Sequence, residues 1–243
     1  MTDRKPSQLD RALRGLRSLV MSGAFEGGQR LSEVTVAKQL GTSRTPLRQA
    51  MDRLVAEGLL ERIETGGCRV ATFTREDIAD AIEVRGVIEG TAARLAAERG
   101  VKPEQLAHAK AELDKIDSAI AHPDGLDFDA YVRHNARFHE ILASLPASPV
   151  IQKEIERMIL LPFASPSSFL SEQSAMPGFL ASLRHAQHQH RGMIDAIENR
   201  EGARAEAITR EHARLALINF NHFSDNQPLV GNDASGLAFI AST

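Results

Sequence analysis

Residues 31–51 read LSEVTVAKQLGTSRTPLRQAM, and the spacing of their apolar side chains decides the fold. Val34, Ala37 and Leu40 recur at helical intervals, which predicts a helix from Ser32 to Leu40 with those three on its buried face. Ser32 stands where an N-cap is needed, and Gly41 is a stop signal. Ser43 can cap a second helix, with Pro46 in its first turn, where a missing N–H costs little. Leu47, Ala50, Met51 and Leu54 make the buried stripe of that second helix. Arg44, Thr45, Arg48 and Gln49 are left on or near its outer face. Two arginines and small hydroxyls at a helix N-terminus suit a DNA major groove. Arg takes guanine O6 and N7 bidentately, while hydroxyls and the positive helix end suit phosphate.

A solvated helix face would also display arginines, so the continuation carries the weight. The second helix runs to Gly58 and is followed by LLERIETGGCRVAT. That segment predicts a strand, a tip at Gly66 and Gly67, and a second short strand from Cys68 to Ala71. The whole is a winged helix-turn-helix. Its residues L-x-E-x-x-V-A-x-x-L-G-x-S-R-T-P-L-R-x-A, then L-x-x-E-G-L-L-x-R, then G-x-R-V, closely resemble the DNA-binding domain of the GntR transcription regulators over about the first seventy positions. The DNA-contacting set expected on this ground is Arg30, Ser43, Arg44, Thr45, Arg48 and Gly67.

Charge divides along the same line. Residues 1–72 hold 12 Lys and Arg against 8 Asp and Glu, whereas the remainder holds 17 against 24. A basic first third on an acidic remainder fits a DNA-reading head joined to a body with another task. The single cysteine, Cys68, excludes an intrachain disulfide framework and a cysteine-rich zinc finger. In a wing strand it reads as a small buried hydrophobe. No apolar run approaches the length of about 18 residues that a spanning helix needs, and the charged N-terminus does not read as a signal peptide. A cytoplasmic protein is expected.

The first helix is expected from about Gln8 to Ser22, with Leu9, Leu13, Leu16 and Leu19 or Val20 at helical spacing. A glycine-containing turn then delivers Arg30 to the next helix. Beyond the wing the pattern is helical: Thr74 to about Arg99, Pro103 to Ala121, Asp127 to Leu145, Val150 to Leu161, Phe179 to Asn199 and Glu201 to Phe223. The stretch LPFASPSSFLSEQSAMPG is the most irregular interior segment. The expected fold is thus mostly α, with an N-terminal winged helix-turn-helix followed by an antiparallel all-α bundle. The expected domains are 1–73 for DNA binding, 74–224 for effector binding and dimerisation, and 225–243 as a mobile tail. This arrangement resembles the FadR-type branch of the GntR regulators, whose helical (FCD) domain binds small ligands.

In the body, Asn135 and His139 lie four apart on one helix and so share a face. His190 and His212 straddle residue 201, inside the expected turn between the last two helices, which places them level across a hairpin. Helical bundles build core metal sites in this way. The family's helical domain carries D-x-x-F-H on one helix and a His on each of the last two, binding a divalent metal. Asn135-Ala136-Arg137-Phe138-His139 matches that motif with Asn in place of Asp, which brings no charge. The implied ligands are Asn135, His139, His190 and His212, for Zn, Ni or Mn. A polar core cluster bonded internally or to water is the alternative. His185 and His188 read as bystanders, and His134 and His222 as surface residues.

The helix after the wing has a stripe of Ile78, Ile82, Arg85, Glu89, Ala92 and Ala96, so an Arg and a Glu fall on the face that should be buried. Glu89 one turn on can pair with Arg85. Alternatively, Arg85 takes a ligand carboxylate in a bidentate clamp. Glu83-Val84-Arg85-Gly86-Val87-Ile88-Glu89 is similar to the family's E-x-R-x-x-(I/L)-E helix, which implies effector recognition for Arg85 with Glu89 as support. The leading expectation is a ligand-responsive regulator of transcription, usually a repressor in this family, and not an enzyme. It would bind a pseudo-palindromic DNA operator as a homodimer and respond to an organic acid held beside the metal. The competing class is a metal-dependent hydrolase using the histidines to activate water. No carboxylate stands out as its general base. An architectural or RNA-binding role lacks the exposed aromatic residues it would need.

Overall fold

The computed structural model describes residues 7–123, 125–161, 164–165 and 178–226. The irregular interior stretch and the tail beyond residue 226 fall almost wholly outside the described residues. The chain divides into a head built on residues up to Asp77 and a body that begins at Ile78.

The head starts with α1 (Gln8–Met21), closed at its N-terminus by a capping box in which Ser7 and Asp10 satisfy each other's backbone N–H groups. Ala12, Leu16 and Val20 form its buried face. Strand β1 (Arg30–Leu31) leads into α2 (Glu33–Gln39), capped by the Ser32 hydroxyl, and then α3 (Arg44–Ala56). Strands β2 (Leu60–Arg62) and β3 (Cys68–Val70) form the wing. The sheet order is β1-β3-β2, with Arg30 opposite Arg69 and Glu61 opposite Arg69 on the other side. The sequence reading anticipated β2 and β3 but took β1 for part of a turn. Two residues are too few to show a period of 2.

Leu47, Ala50, Met51 and Leu54 are buried along α3. On α2 the expected stripe is corrected at one position: Ala37 is buried as expected, but Val34 is 65% exposed and Val36 is buried in its place. In a seven-residue helix the inward face is set by docking against α3, and Val36, Ala37 and Leu40 make that face without Val34. Ser43 has the extended backbone of an N-cap, but its side chain makes no capping bond. Cys68 is buried, and burial pushes its thiol above the ordinary range.

The body holds six described helices: α4 (Arg75–Arg99), α5 (Pro103–Ile120), α6 (Phe128–Ser144), α7 (Pro149–Met158), α8 (Phe179–Glu198) and α9 (Gly202–Asn226). Helices α5, α6 and α8 enclose a mostly aliphatic core that includes Leu113, Ile116, Leu142, Ile194 and Ile197, together with the buried Phe138. The turn from α8 to α9 passes through Arg200 at φ +65°, whose guanidinium donates to the Glu98 carbonyl at 2.7 Å. Helix α4 approaches α9 closely, since a Cβ on Gly86 would lie 2.8 Å from the Ala213 Cβ. Among the described residues, no helix is long and apolar enough to cross a membrane.

Candidate functional site

In the head, the expected DNA-contacting residues separate into two groups. Arg30, Arg44, Arg48 and Gly67 line one open concavity together with Glu33, Val34 and Gly66. Ser43 and Thr45 are exposed on α3 but do not line it. Arg30 leaves β1 toward the wing tip, where its Nη2 donates to the Gly66 carbonyl at 2.9 Å. Gly67 has φ +88°, a region that disfavours any side chain, and a Cβ there would meet the Arg30 guanidinium at 3.8 Å. The sequence reading missed Glu33. Its carboxylate takes Arg44 Nη2 at 3.2 Å and Arg48 Nε at 2.8 Å. Burial raises the Glu33 carboxyl, but the hydrogen bonds from Arg48 and Arg44 outweigh it and hold the group below its ordinary range. Pairs this exposed add little stability; they set where the two guanidinium groups point.

In the body, His139, His190 and His212 are buried, and one ring nitrogen from each lies within 4.8 Å of the others. His190 and His212 come from facing positions of α8 and α9, with their Nε2 atoms 3.1 Å apart. The Nδ1 of His190 lies 3.1 Å from Gln187 Oε1, and Gln187 Nε2 donates to the Leu113 carbonyl at 2.9 Å. That second bond turns the amide oxygen toward the ring. His212 Nδ1 lies 3.2 Å from Gln189 Oε1. An amide oxygen at Nδ1 favours the tautomer with its proton there, which turns the Nε2 lone pairs of both rings toward one another.

Two lone pairs facing each other in this way would be satisfied by a shared cation. Burial, with His139 nearby, holds the His190 imidazole well below its ordinary value, and burial with His190 and His139 does the same for His212. A proton is thus disfavoured, and neutral imidazoles are what a metal requires. In a tetrahedral zinc site with bonds of about 2.0–2.1 Å, ligand nitrogens lie about 3.3 Å apart. The observed 3.1 Å fits that geometry. Both ring nitrogens of His139 are buried without a hydrogen bond. The residues present fit a divalent ion held by the three histidines.

Asn135, one turn before His139 on α6, is buried and lines a small cavity with Arg85, Tyr131, His212 and Asn219. The cavity leaves about 20 Å³, the room of a single water. Arg85 is 1% exposed; its Nη1 donates to the Ala164 carbonyl at 3.0 Å, and its Nε lies 3.6 Å from Glu89 Oε2. The ion pair expected within α4 is present but too long for a hydrogen bond. Burial lowers the Arg85 guanidinium, and Glu89 opposes this. The other Glu89 oxygen, Oε1, lies 3.3 Å from His139 Nδ1. A carboxylate does stand beside the histidines, contrary to the sequence reading. Burial raises the Glu89 carboxyl, but His139 and Arg85 prevail and leave it below the ordinary range.

His185, His188 and His222 are exposed. His134 is corrected: it is half-buried, its Nδ1 2.6 Å from the buried carboxylate of Glu112, which also takes Lys115 at 2.9 Å. Gln187 and Gln189 were passed over, although a signal existed. Gln187 precedes His190 by one helical turn, and Gln189 is level with His212 about the Arg200 turn.

Residues 9–70 match the gntR family of bacterial regulatory proteins, and residues 80–215 match the FCD domain. The chain is 29% identical over 203 residues to the "Probable D-xylose utilization operon transcriptional repressor" of Paenarthrobacter nicotinovorans, covering 82% of each. It is 27% identical over 143 residues to the uncharacterized HTH-type transcriptional regulator YdhC of Bacillus subtilis, covering 59% of this chain and 62% of that protein. Among solved structures, McbR/YncC of E. coli superposes with a TM-score of 0.68 at 22% identity, over 90% of this chain and 99% of that one. This last likeness is one of fold.

Proposed function

Because the chain belongs to the gntR family of bacterial regulatory proteins and carries an FCD domain, we propose that it is a metal-containing, acid-responsive repressor. The membership makes it a transcriptional regulator and sets the hydrolase reading aside. In this proposal Arg30, Arg44, Arg48 and Gly67 face the operator, with Ser43 and Thr45 on phosphate at the start of α3. Two copies place two α3 helices in successive major grooves, about 34 Å apart. His139, His190 and His212 hold a divalent ion, with Asn135 as an uncharged fourth ligand, and Arg85 takes the carboxylate of an organic acid. The protein works in the cytoplasm, where its operator is.

The observation that carries this reading is the single concavity in which α3, β1 and the wing tip bring Arg30, Arg44, Arg48 and Gly67 together. Repression, rather than activation, is supported by the name of the xylose-operon relative. The cavity beside Arg85 is too small for an acid as it stands. Admission requires Leu183 on α8 or Leu215 on α9 to move, which is how ligand binding would reach the rest of the chain.

The test is a gel shift with DNA upstream of the neighbouring genes, run beside elemental analysis of untagged protein. Arg44→Ala and Arg48→Ala should each cost about 1–3 kcal/mol of operator affinity. Wild type should hold roughly one divalent ion per chain, and His190→Ala should lose it. Unchanged operator binding in both arginine variants would sink the recognition-helix assignment. Metal-free protein whose melting temperature ignores added zinc would reduce the histidines to a polar core.

A further inference from the structure

Asn135 leaves the histidine cluster without the carboxylate that its motif usually carries. Buried carboxylates are few among the described residues. Glu112 is occupied by Lys115 and His134. Glu89, on α4, is 2% exposed, and its Oε1 lies 3.3 Å from His139 Nδ1. At that distance a small turn of the ring completes a hydrogen bond; as placed, both His139 nitrogens and Glu89 Oε2 are buried without one. Groups of this kind cost stability unless something else uses them.

The three rings share one pattern. Gln187 Oε1 stands at Nδ1 of His190, Gln189 Oε1 at Nδ1 of His212, and Glu89 Oε1 at Nδ1 of His139. Each Nδ1 thus faces an oxygen from a residue outside the cluster, which leaves Nε2 of every ring free to ligate. Two of these oxygens are neutral amides, and only the third is charged. A divalent ion on three neutral imidazoles is a buried double charge, and a carboxylate one ring away is where opposite charge acts.

We propose that Glu89 is the positioning carboxylate of the metal site: it accepts the Nδ1–H of His139, aims Nε2 at the ion, and supplies the negative charge that Asn135 does not. This assignment rests on the metal reading above. Glu89 lies outside the group of atoms close enough to one another to ligate together, so its place is behind His139 rather than on the ion.

The test is a zinc titration of the apo full-length chain in competition with a chelator. Glu89→Gln should keep the stoichiometry and weaken binding 10–100-fold. Adding Asn135→Asp to that variant should recover most of the loss, because charge returns to the site; a role in packing alone would not be rescued this way. With cobalt in place of zinc, the ligand-field bands of Glu89→Gln should match wild type. Wild-type affinity in Glu89→Gln, failure of the rescue, or a changed cobalt spectrum each overturns the assignment. A wild type that binds no zinc overturns the metal reading itself and removes this one with it. Should Glu89→Gln not fold, nitrogen-15 spectra of wild-type His139 decide: the Nδ1–H tautomer is expected, and the Nε2–H tautomer refutes it.

Discussion

His190 and His212 present their Nε2 atoms to each other at 3.1 Å across the α8–α9 hairpin, while the Nδ1 of each faces a glutamine amide oxygen on α8. Unprotonated imidazoles are held apart from water in this arrangement, and the consequence is a dependence on pH. Both groups titrate well below the ordinary 6.5 because of burial and their histidine neighbours. A histidine of depressed pKa costs nothing while both folded and unfolded forms are neutral. As the pH falls below about 6.5, the unfolded chain takes up protons that the folded chain refuses. Thermal melts of metal-stripped protein should therefore be level above that pH and fall below it. In His190→Gln/His212→Gln the decline should be shallower; an equally steep decline would place its source elsewhere.

Packing of α4 and α8 against α9 predicts opposite signs for the same substitution at two glycines. A Cβ at Gly86 would sit 2.8 Å from the Ala213 Cβ, an atom with no freedom to swing aside. Gly86→Ala should cost about 1–3 kcal/mol through overpacking, more than the gain of up to about 1 kcal/mol in helix propensity. At Gly192 the nearest atom is Ile208 Cδ1 at 3.4 Å. Gly192→Ala should therefore stabilise, by up to about 1 kcal/mol. Urea denaturation of the two variants reads both signs, and a Gly86→Ala protein more stable than wild type would contradict the packing described.

Among the described residues, Arg85 donates to the Ala164 carbonyl and has a carboxylate 3.6 Å away. Arg85→Ala strands Glu89 and should cost about 3–5 kcal/mol, the penalty of a broken buried pair. Arg85→Gln keeps a polar donor in place of the guanidinium and removes the charge that Glu89 faces and an acid would need. It should bind operator as wild type does and fail to release it when carboxylic acids from the neighbouring pathway are added. Release at wild-type acid concentrations would leave Arg85 a structural residue.

The head was legible in the sequence because its information is local. Leu47, Ala50, Met51 and Leu54 lie within three helical turns, and Gly66 and Gly67 announce the wing tip. Its errors are local too: Val34 obeys the spacing as well as Val36 does, and only docking of α2 on α3 chooses between them. In the body, the level placement of His190 and His212 follows from counting about one turn. The partnership of Glu89 with His139 could not be counted. Arg85, four residues away on the same helix, is the obvious partner for Glu89, whereas His139 comes from a helix fifty residues later. A single sequence carries no signal for which helices of a bundle become neighbours.

Glu33 bears on the DNA-reading role proposed for the head. Arg44 and Arg48 both rest on this one carboxylate, so the three side chains together present a single positive charge to an approaching duplex. With the arginines in the DNA-reading role proposed here, contact means exchanging partners rather than filling open hands. A duplex offering only phosphate repays the two lost ion pairs with contacts of the same kind. One offering guanine edges at the right spacing repays them with bidentate bonds that phosphate lacks. The carboxylate thereby works as a tare, subtracting a nearly constant amount from every sequence, so that the difference between the right site and the rest of the genome is weighed against a lower background.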